Sequence, residues 1–234
     1  MTRAGASLLG FALALCGAAL TLCPVRAARA QDARAEPTPE PSRAFQAARP
    51  VVSRETADPE AFEFEMNGFS YHIRQNGNGW RKKGDGTRRF NLRLDYGGLD
   101  RVYFADYGGR LLLVCEVGDG ESGGGFVTLL EQPSMRARWK QSFPAFNVGP
   151  PLREGRALYL TGVGFVGRLD LGTGEFDWQH DDLYEKREGV PKHFNSFEAP
   201  ELAGRTVLFR ERPVYNPRKT LVVDKKSGKI IRVE

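Results

Sequence analysis

The chain has 234 residues and a formal net charge of +5, which comes from 34 Lys and Arg against 29 Asp and Glu. Three of the arginines lie in the first 30 residues, so the rest of the chain has 34 − 3 = 31 basic residues and a net charge of +2. So small a charge gives no support to a nucleic-acid-binding protein. Cys115 is the only cysteine after residue 30, which excludes an intramolecular disulfide there.

Residues 1–30 have the pattern of a secretory signal peptide. Arg3 precedes an apolar run from Leu8 to Leu22, and Ala28-Arg29-Ala30 supplies the small residues of a cleavage site. The run is shorter than the roughly 20 residues that a membrane span needs. We therefore expect cleavage near Ala30 and a periplasmic or secreted mature chain. An uncleaved leader or a lipid on Cys23 is the alternative, and either would attach the chain to a membrane.

Residues 31–60 predict a disordered tether, because they are rich in Pro, Ala and charged residues and contain few large apolar side chains. Such a composition cannot bury enough surface to offset the entropy that an ordered chain loses. The tether is either a spacer that lets a domain reach away from its attachment point or a tail without a function. The sequence thus predicts one folded β-repeat domain over residues 61–234.

From residue 61 onward, short runs of alternating apolar residues predict β-strands almost throughout. Residues 61–73 alternate on both sides of Asn67-Gly68, a pair that favours a tight turn, and therefore predict a hairpin. Residues 75–89 are mostly polar, and we expect a loop there.

Five basic residues next to Trp80 form a candidate anion-binding cluster, namely Arg81, Lys82, Lys83, Arg88 and Arg89. A basic cluster beside an aromatic ring can hold a phosphate or a lipid head group. The alternative is a solvated hairpin tip without a ligand. Nucleic acid is not an expected partner for an exported protein.

Four further strands are predicted in the middle of the chain, over Arg101 to Asp106, Arg110 to Val117, Phe126 to Glu131 and Met135 to Phe143. Cys115 lies in the second of these runs, so we expect a buried and unreactive thiol. Three short alternating runs separated by glycines then predict a three-stranded meander over Ala157 to His180.

The last turn of that meander carries the most specific motif of the chain. The run Asp170-Leu171-Gly172-Thr173-Gly174-Glu175, followed by Phe176 and Trp178, is similar to the repeat of quinoprotein-type (PQQ-like) β-propellers. In that family the tryptophan docks neighbouring blades together, which implies a structural role for Trp178. The glycine supplies a turn position that is free of Cβ strain.

Parts of the motif recur along the chain at intervals of about 50 residues. Asp224-Lys225-Lys226-Ser227-Gly228 follows the first copy by 54 residues, and Phe146-Asn147 recurs as Phe194-Asn195, with a third Phe-Asn at Phe90-Asn91. The expected fold is all-β, with three to four PQQ-like blades in a minimal or open propeller. In the last unit Arg232 stands where the tryptophan would recur. The predicted structural residues are Asp170, Thr173, Gly174, Trp178, Asp224 and Gly228.

The resemblance implies the non-catalytic branch of the family, whose members offer loops and sheet edges to partners. Quinone-dependent members ring their cofactor with several blades, adjacent cysteines and calcium-binding carboxylates, which we do not find in this sequence, so no cofactor is expected. The first functional hypothesis is an exported interaction or scaffold module that binds a protein or a cell-envelope component. A related hypothesis is an accessory subunit of a larger exported assembly.

An enzyme is the alternative from another class. His180, Asp182 and His193 are the only cluster of residues that resembles metal-binding or acid–base equipment, and two imidazoles with a carboxylate would suit zinc. The corresponding activity would be that of a small metal-dependent hydrolase. Ordinary loop polarity also explains the cluster, because no fixed ligand spacing accompanies it.

Overall fold

The computed structural model of the chain describes residues 45–52, 59–119, 122–184, 193–214 and 217–234. All of these residues belong to the unit Glu40–Glu234. The predicted signal peptide and residues 31–44 and 53–58 of the predicted tether lie outside the described residues. In the described ranges, no helix is both long and apolar enough to cross a membrane.

Eighteen strands of the described residues form four antiparallel sheets. The first sheet contains β2 (Arg49–Val52), β3 (Pro59–Met66), β4 (Phe69–Arg74), β5 (Asn78–Lys83) and β6 (Gly86–Asn91). The second contains β1 (Gln46–Ala47), β7 (Gly98–Tyr107), β8 (Arg110–Gly118), β9 (Gly123–Glu131) and β10 (Arg136–Phe143). The third contains β11 (Leu152–Glu154), β12 (Ala157–Gly162), β13 (Phe165–Asp170) and β14 (Glu175–His180). The fourth contains β15 (Glu201–Ala203), β16 (Thr206–Arg210), β17 (Thr220–Asp224) and β18 (Ile230–Val233).

Each sheet is a meander of four strands in chain order, and β1 and β2 are additional strands on the second and first sheets. A four-stranded antiparallel meander is the blade of a β-propeller. The predicted all-β fold of three to four blade-like repeats is therefore confirmed, with four sheets.

Three hydrophobic clusters hold the sheets together in chain order. They join the first sheet to the second, the second to the third and the third to the fourth. Within the described residues, none of these clusters contains side chains from both the first and the fourth sheet. The described clusters thus link the four sheets in chain order, which agrees with the predicted minimal or open propeller.

The second and third sheets bury both of their faces, and their sequences are accordingly apolar in continuous runs. Every residue of Leu111–Val117 in β8 is buried. Leu113 and Cys115 belong to the cluster shared with the first sheet, whereas Leu112 and Val114 belong to the cluster shared with the third. Cys115 is a buried free thiol, and burial raises its pKa, which disfavours the reactive thiolate.

The first and fourth sheets bury one face each, so their strands alternate. In β3, Phe62 and Phe64 enter the core whereas Glu63 points to the other face. In β16, Val207 and Phe209 are the buried residues. The alternation in the sequence therefore indicates which two sheets end the series.

The outer face of the first sheet carries a row of polar and aromatic side chains. Arg49, Glu63, His72, Trp80 and Arg89 lie in this row, since the strand register pairs each with the next. His72 Nδ1 lies 3.2 Å from Glu63 Oε1, and its ring stacks on Trp80 with centroids 5.2 Å apart. The hydrogen bond from His72 lowers the pKa of the Glu63 carboxyl. Such a face suits contact with water.

The sheets begin before the predicted boundary at residue 61. Residues 46–52, assigned above to the tether, pair with β7 as β1 and with β3 as β2. Between these two strands Ala48 is buried, and its N–H donates to the Val102 carbonyl at 2.8 Å. The segment was not predicted as a strand because it contains Pro50, but proline is tolerated on an edge strand such as β2.

Candidate functional site

The motif from Asp170 to Gly174 forms the turn between β13 and β14. Asp170 Oδ1 accepts hydrogen bonds from the N–H groups of Gly172 at 2.6 Å and Thr173 at 3.1 Å. The Gly174 N–H donates to the Asp170 carbonyl at 2.8 Å, and Gly174 has a φ of 80°. The carboxylate therefore organises the turn, and the left-handed conformation at its end favours glycine.

The turn between β17 and β18 has the same construction. Asp224 Oδ1 accepts hydrogen bonds from the N–H groups of Lys226 at 3.1 Å and Ser227 at 2.9 Å. The Gly228 N–H donates to the Asp224 carbonyl at 3.0 Å, and Gly228 has a φ of 72°. The two copies of the motif thus take equivalent places in the third and fourth sheets.

The second sheet has an equivalent turn that the sequence motif does not mark. The Met135 N–H donates to the Glu131 carbonyl at 2.7 Å, and Met135 has a φ of 56°. A methionine replaces the glycine of the motif there, so a search for glycine at that position fails. Phe90-Asn91, taken as a third copy of the Phe-Asn pair, ends β6 instead, whereas Phe146-Asn147 and Phe194-Asn195 lie between sheets.

The strand after each of these turns carries an irregular register, at Arg138, Asp177 and Ile231. The next residue is Trp139, Trp178 or Arg232. A bulge rotates the following side chain, and each tryptophan packs on the turn glycine of the next sheet. A Cβ on Gly174 would lie 2.5 Å from Trp139 Cδ2, and one on Gly228 would lie 2.5 Å from Trp178 Cγ.

Trp178 is firmly held in this position. Its Nε1 donates to the Lys225 carbonyl at 2.9 Å, and its ring packs edge-on against Phe209 with centroids 6.4 Å apart. These contacts join the third sheet to the fourth, so the ring lies where the resemblance places a docking tryptophan.

Arginines take the place of the tryptophan between the first and second sheets. Arg81 donates to the Gln132 carbonyl, and Arg88 Nε donates to the Ser134 carbonyl at 3.4 Å. Both carbonyls belong to the turn between β9 and β10. The junction at the outer strands of these two sheets is therefore polar.

The basic cluster predicted as a loop is instead distributed over β5 and β6. Arg81 lies 4.3 Å and Lys83 lies 4.9 Å from the centre of the Phe69 ring, beside the second sheet. Lys82 and Arg89 belong to the opposite face of the first sheet. The five predicted anion-binding residues thus do not form one site as a set, because alternate residues of a strand point to opposite faces. Arg88 and Arg89 nevertheless both line a groove at the open edge of β6.

A groove of about 1100 Å³ separates β6 from β9 and β10. We call it the basic groove, because its charged lining residues are Arg88, Arg89, Arg93, Arg136, Lys140 and a single acid, Asp95. Lys140 Nζ lies 3.3 Å from Asp95 Oδ2. Among the described residues, no carboxylate lies within ion-pair distance of the four arginines, although Glu131 is opposite Arg136 in the strand register. By contrast, Arg110 and Arg168 lie 2.9 Å from their acidic partners.

Arg93 adopts an uncommon backbone conformation at the rim of the basic groove. Its φ is 51°, and its N–H donates to Asn91 Oδ1 at 2.5 Å. A positive φ costs a residue with a Cβ roughly 1 to 3 kcal/mol, and such residues cluster at functional sites. The hydrogen bond to Asn91 holds this backbone conformation at the rim of the basic groove.

Sequence reasoning found Arg88 and Arg89 but missed Arg93, Arg136 and Lys140. Arg136 and Lys140 are distant in the sequence and meet the others only because the second sheet stacks on the first, whereas Arg93 follows Arg89 by four residues in a segment without a recognisable motif. The only local signal was the basic composition of Arg136–Lys140.

The candidate metal ligands are engaged with backbone carbonyls. His180 Nε2 donates to the Gly228 carbonyl at 2.7 Å, so this imidazole supports the junction of the third and fourth sheets. His193 Nδ1 donates to the Tyr184 carbonyl at 2.9 Å. Among the described residues, which include Asp182, no three His, Cys, Asp or Glu side chains group as metal ligands do.

No protein-family model and no curated protein matches the chain. Many solved structures are similar to it, and they include a designed protein and a bacterial one. The computationally designed Ika8 protein is 11% identical, with 74% of this chain and 48% of that chain covered at a TM-score of 0.47, so this chain spans about half of its length. BamB from Moraxella catarrhalis is 12% identical, with 81% of this chain and 67% of that chain covered at a TM-score of 0.37. Both scores are below 0.5, so neither similarity supports a functional inference.

Proposed function

We propose that this protein is an exported, non-catalytic β-repeat interaction module of the PQQ-like type that binds a protein partner of the cell envelope. The observation that carries the proposal is the basic groove, where four arginines without acidic partners surround one opening. Such a concentration of unpaired positive charge favours an anionic partner and speeds its association.

The architecture supports a scaffold with one specialised end. The third and fourth sheets are joined by Trp178 and the third cluster, and their role is to stabilise the series. The first two sheets provide the groove. Export, which rests on residues 1–30, places the partner in the periplasm or outside the cell.

Co-purification from the native cells in mild detergent tests the proposal. The bait is the full chain, and the test variant is Arg89→Glu with Arg136→Glu, which reverses the charge on both walls of the basic groove. We expect the full chain to retain a defined partner, as a complex of two proteins or as a larger exported assembly, and the variant to lose it.

Arg205→Glu with Lys226→Glu is the matched control, because it makes the same change of charge on the fourth sheet. The Arg205 side chain is 94% exposed, and Lys226 is also exposed. The control should keep the partner. Equal retention by the groove variant and the unchanged chain would refute the role of the groove.

A further inference from the structure

We propose that the outer edge of β6 accepts an extended acidic segment of a partner protein as an added strand, with carboxylates of that segment paired to the arginines of the basic groove. This inference rests on the proposed function and specifies its ligand. It requires a strand edge, room beside it and matching charge.

The edge is available in the part of the chain that the structure describes. β6 is the last strand of the first sheet and pairs there only with β5. Its six residues contain no proline, so every second residue can present its N–H and C=O groups to the open side. An added strand of the same length would span about 20 Å.

The basic groove lies beside this edge and gives the added strand room. Phe90 and Leu130 supply apolar surface in its lining, and Arg89 and Arg136 supply charge. Successive side chains of a strand point to opposite sides. A segment that alternates acidic and apolar residues would therefore place its carboxylates on the face of Arg89 and its apolar side chains on the face of Phe90.

The positive charge of β6 determines which kind of strand can pair with its edge. Arg88 and Arg89 are consecutive in β6, so a second copy of the same strand would bring arginines against arginines. Like charges that face each other destabilise a strand pair. The same arginines that prevent self-association favour an acidic strand, because arginine binds a carboxylate with two parallel hydrogen bonds.

The protein itself contains a precedent for added strands. Residues 46–52 are extended and pair with β7 and then with β3, although they precede both meanders in the chain. The meander sheets thus accept a further antiparallel strand at an edge. β6 offers the opposite edge of the first sheet.

Peptide binding to the full chain tests the inference. The probe is a fluorescent eight-residue peptide that alternates Glu and Val. One control peptide has N-methylated amides, which keep the carboxylates but remove the backbone donors, and a second replaces Glu with Lys. Fluorescence anisotropy gives the affinities, and hydrogen exchange reports the protection of the amides of residues 86–91.

We expect the acidic peptide to bind at least about tenfold more tightly than either control peptide. It should also slow exchange in β6. Arg89→Glu with Arg136→Glu should weaken binding about tenfold or more, whereas Arg205→Glu with Lys226→Glu should leave it unchanged. Arg89→Lys with Arg136→Lys should bind more weakly than the unchanged chain but more tightly than the Glu variant, because it keeps the charge and loses the two parallel hydrogen bonds.

Two results would overturn the inference. Equal binding of the N-methylated peptide, without protection of residues 86–91, would mean that the groove attracts carboxylates without adding a strand. Absence of acidic-peptide binding would also reject it. If either result occurs and the groove variant still loses the cellular partner, the added strand is rejected but the proposed function is supported. The failure of this inference can therefore be distinguished from the failure of the proposed function.

Discussion

The junction between the first two sheets differs from the other two junctions at the outer strands. Trp139 and Trp178 each cover the turn glycine of the following sheet, whereas Arg81 and Arg88 donate to carbonyls of the second sheet's turn. An indole ring excludes water from the contact, and guanidinium groups do not. One fold thus provides two closed junctions and one open junction, where the basic groove lies.

The two tryptophan junctions also differ from each other. Trp178 Nε1 has the Lys225 carbonyl as its acceptor, whereas Trp139 Nε1 is buried without a hydrogen-bond partner in the described residues. An unsatisfied buried donor lowers the net gain from a packed ring. We therefore expect Trp178 to contribute more to stability than Trp139.

Removal of a docking ring should have the largest effect. Trp178→Ala should lower the free energy of unfolding by about 3 to 5 kcal/mol, because the side chain is buried and the surrounding strands cannot fill its volume. Chemical denaturation measures the change. A loss below about 1 kcal/mol would mean that the ring does not hold the third and fourth sheets together.

Substitutions at two turn glycines distinguish the stability cost of backbone strain from the cost of a steric clash. Gly228→Ala should cost about 2 to 4 kcal/mol, because its new Cβ would meet the Trp178 ring in addition to the strain of a positive φ. Gly204→Ala is the matched control, since Gly204 has a φ of 58° and no atom within 4 Å of the added Cβ. Its cost should be about 1 to 2 kcal/mol. Equal losses in chemical denaturation would contradict the docking of ring on turn.

The polar contacts of Arg81 should contribute less to stability than the docking ring of Trp178. Arg81→Met keeps an apolar side chain but removes the guanidinium group, which lies over the Phe69 ring and donates to the Gln132 carbonyl, so we expect a loss of about 1 to 2 kcal/mol. Chemical denaturation alongside Trp178→Ala gives the ranking. A cost equal to that of the tryptophan variant would mean that the first junction is as closely packed as the third.

The sequence patterns predicted the strands wherever apolar residues dominate a face. Continuous runs such as Leu111–Val117 and the alternation around Asn67-Gly68 both correspond to strands. β5 and β6 were missed because Gly79 and Arg81 occupy inward positions of β5, which removes the apolar alternation. Arg81 points inward because it donates a hydrogen bond to a turn of the next sheet, which is distant in the sequence.

The candidate site was less predictable than the fold. Arg89 and Arg136 are 47 residues apart and come together through the stacking of two sheets. Local motifs contain no information on such stacking. The motif residues Asp170 and Gly174 were recognisable because a turn depends on neighbours in the chain, and hydrogen bonds within the turn fix them.

The smallest effect concerns the pH dependence of the turn that the motif builds. Burial acts to raise the pKa of the Asp170 carboxyl, but hydrogen bonds from Arg156 and from the N–H groups of Gly172 and Thr173 bring the pKa below its ordinary value. A lowered pKa in the folded state stabilises the protein above the unfolded pKa of about 3.9, and this stabilisation is lost as the pH falls through the folded value. When the pH falls from about 6 to about 3, a range that includes the unfolded pKa, the Asp170→Asn variant should therefore lose less stability than the unchanged chain. Urea unfolding at both pH values measures the difference, and identical losses would mean that the charge of Asp170 does not support the turn.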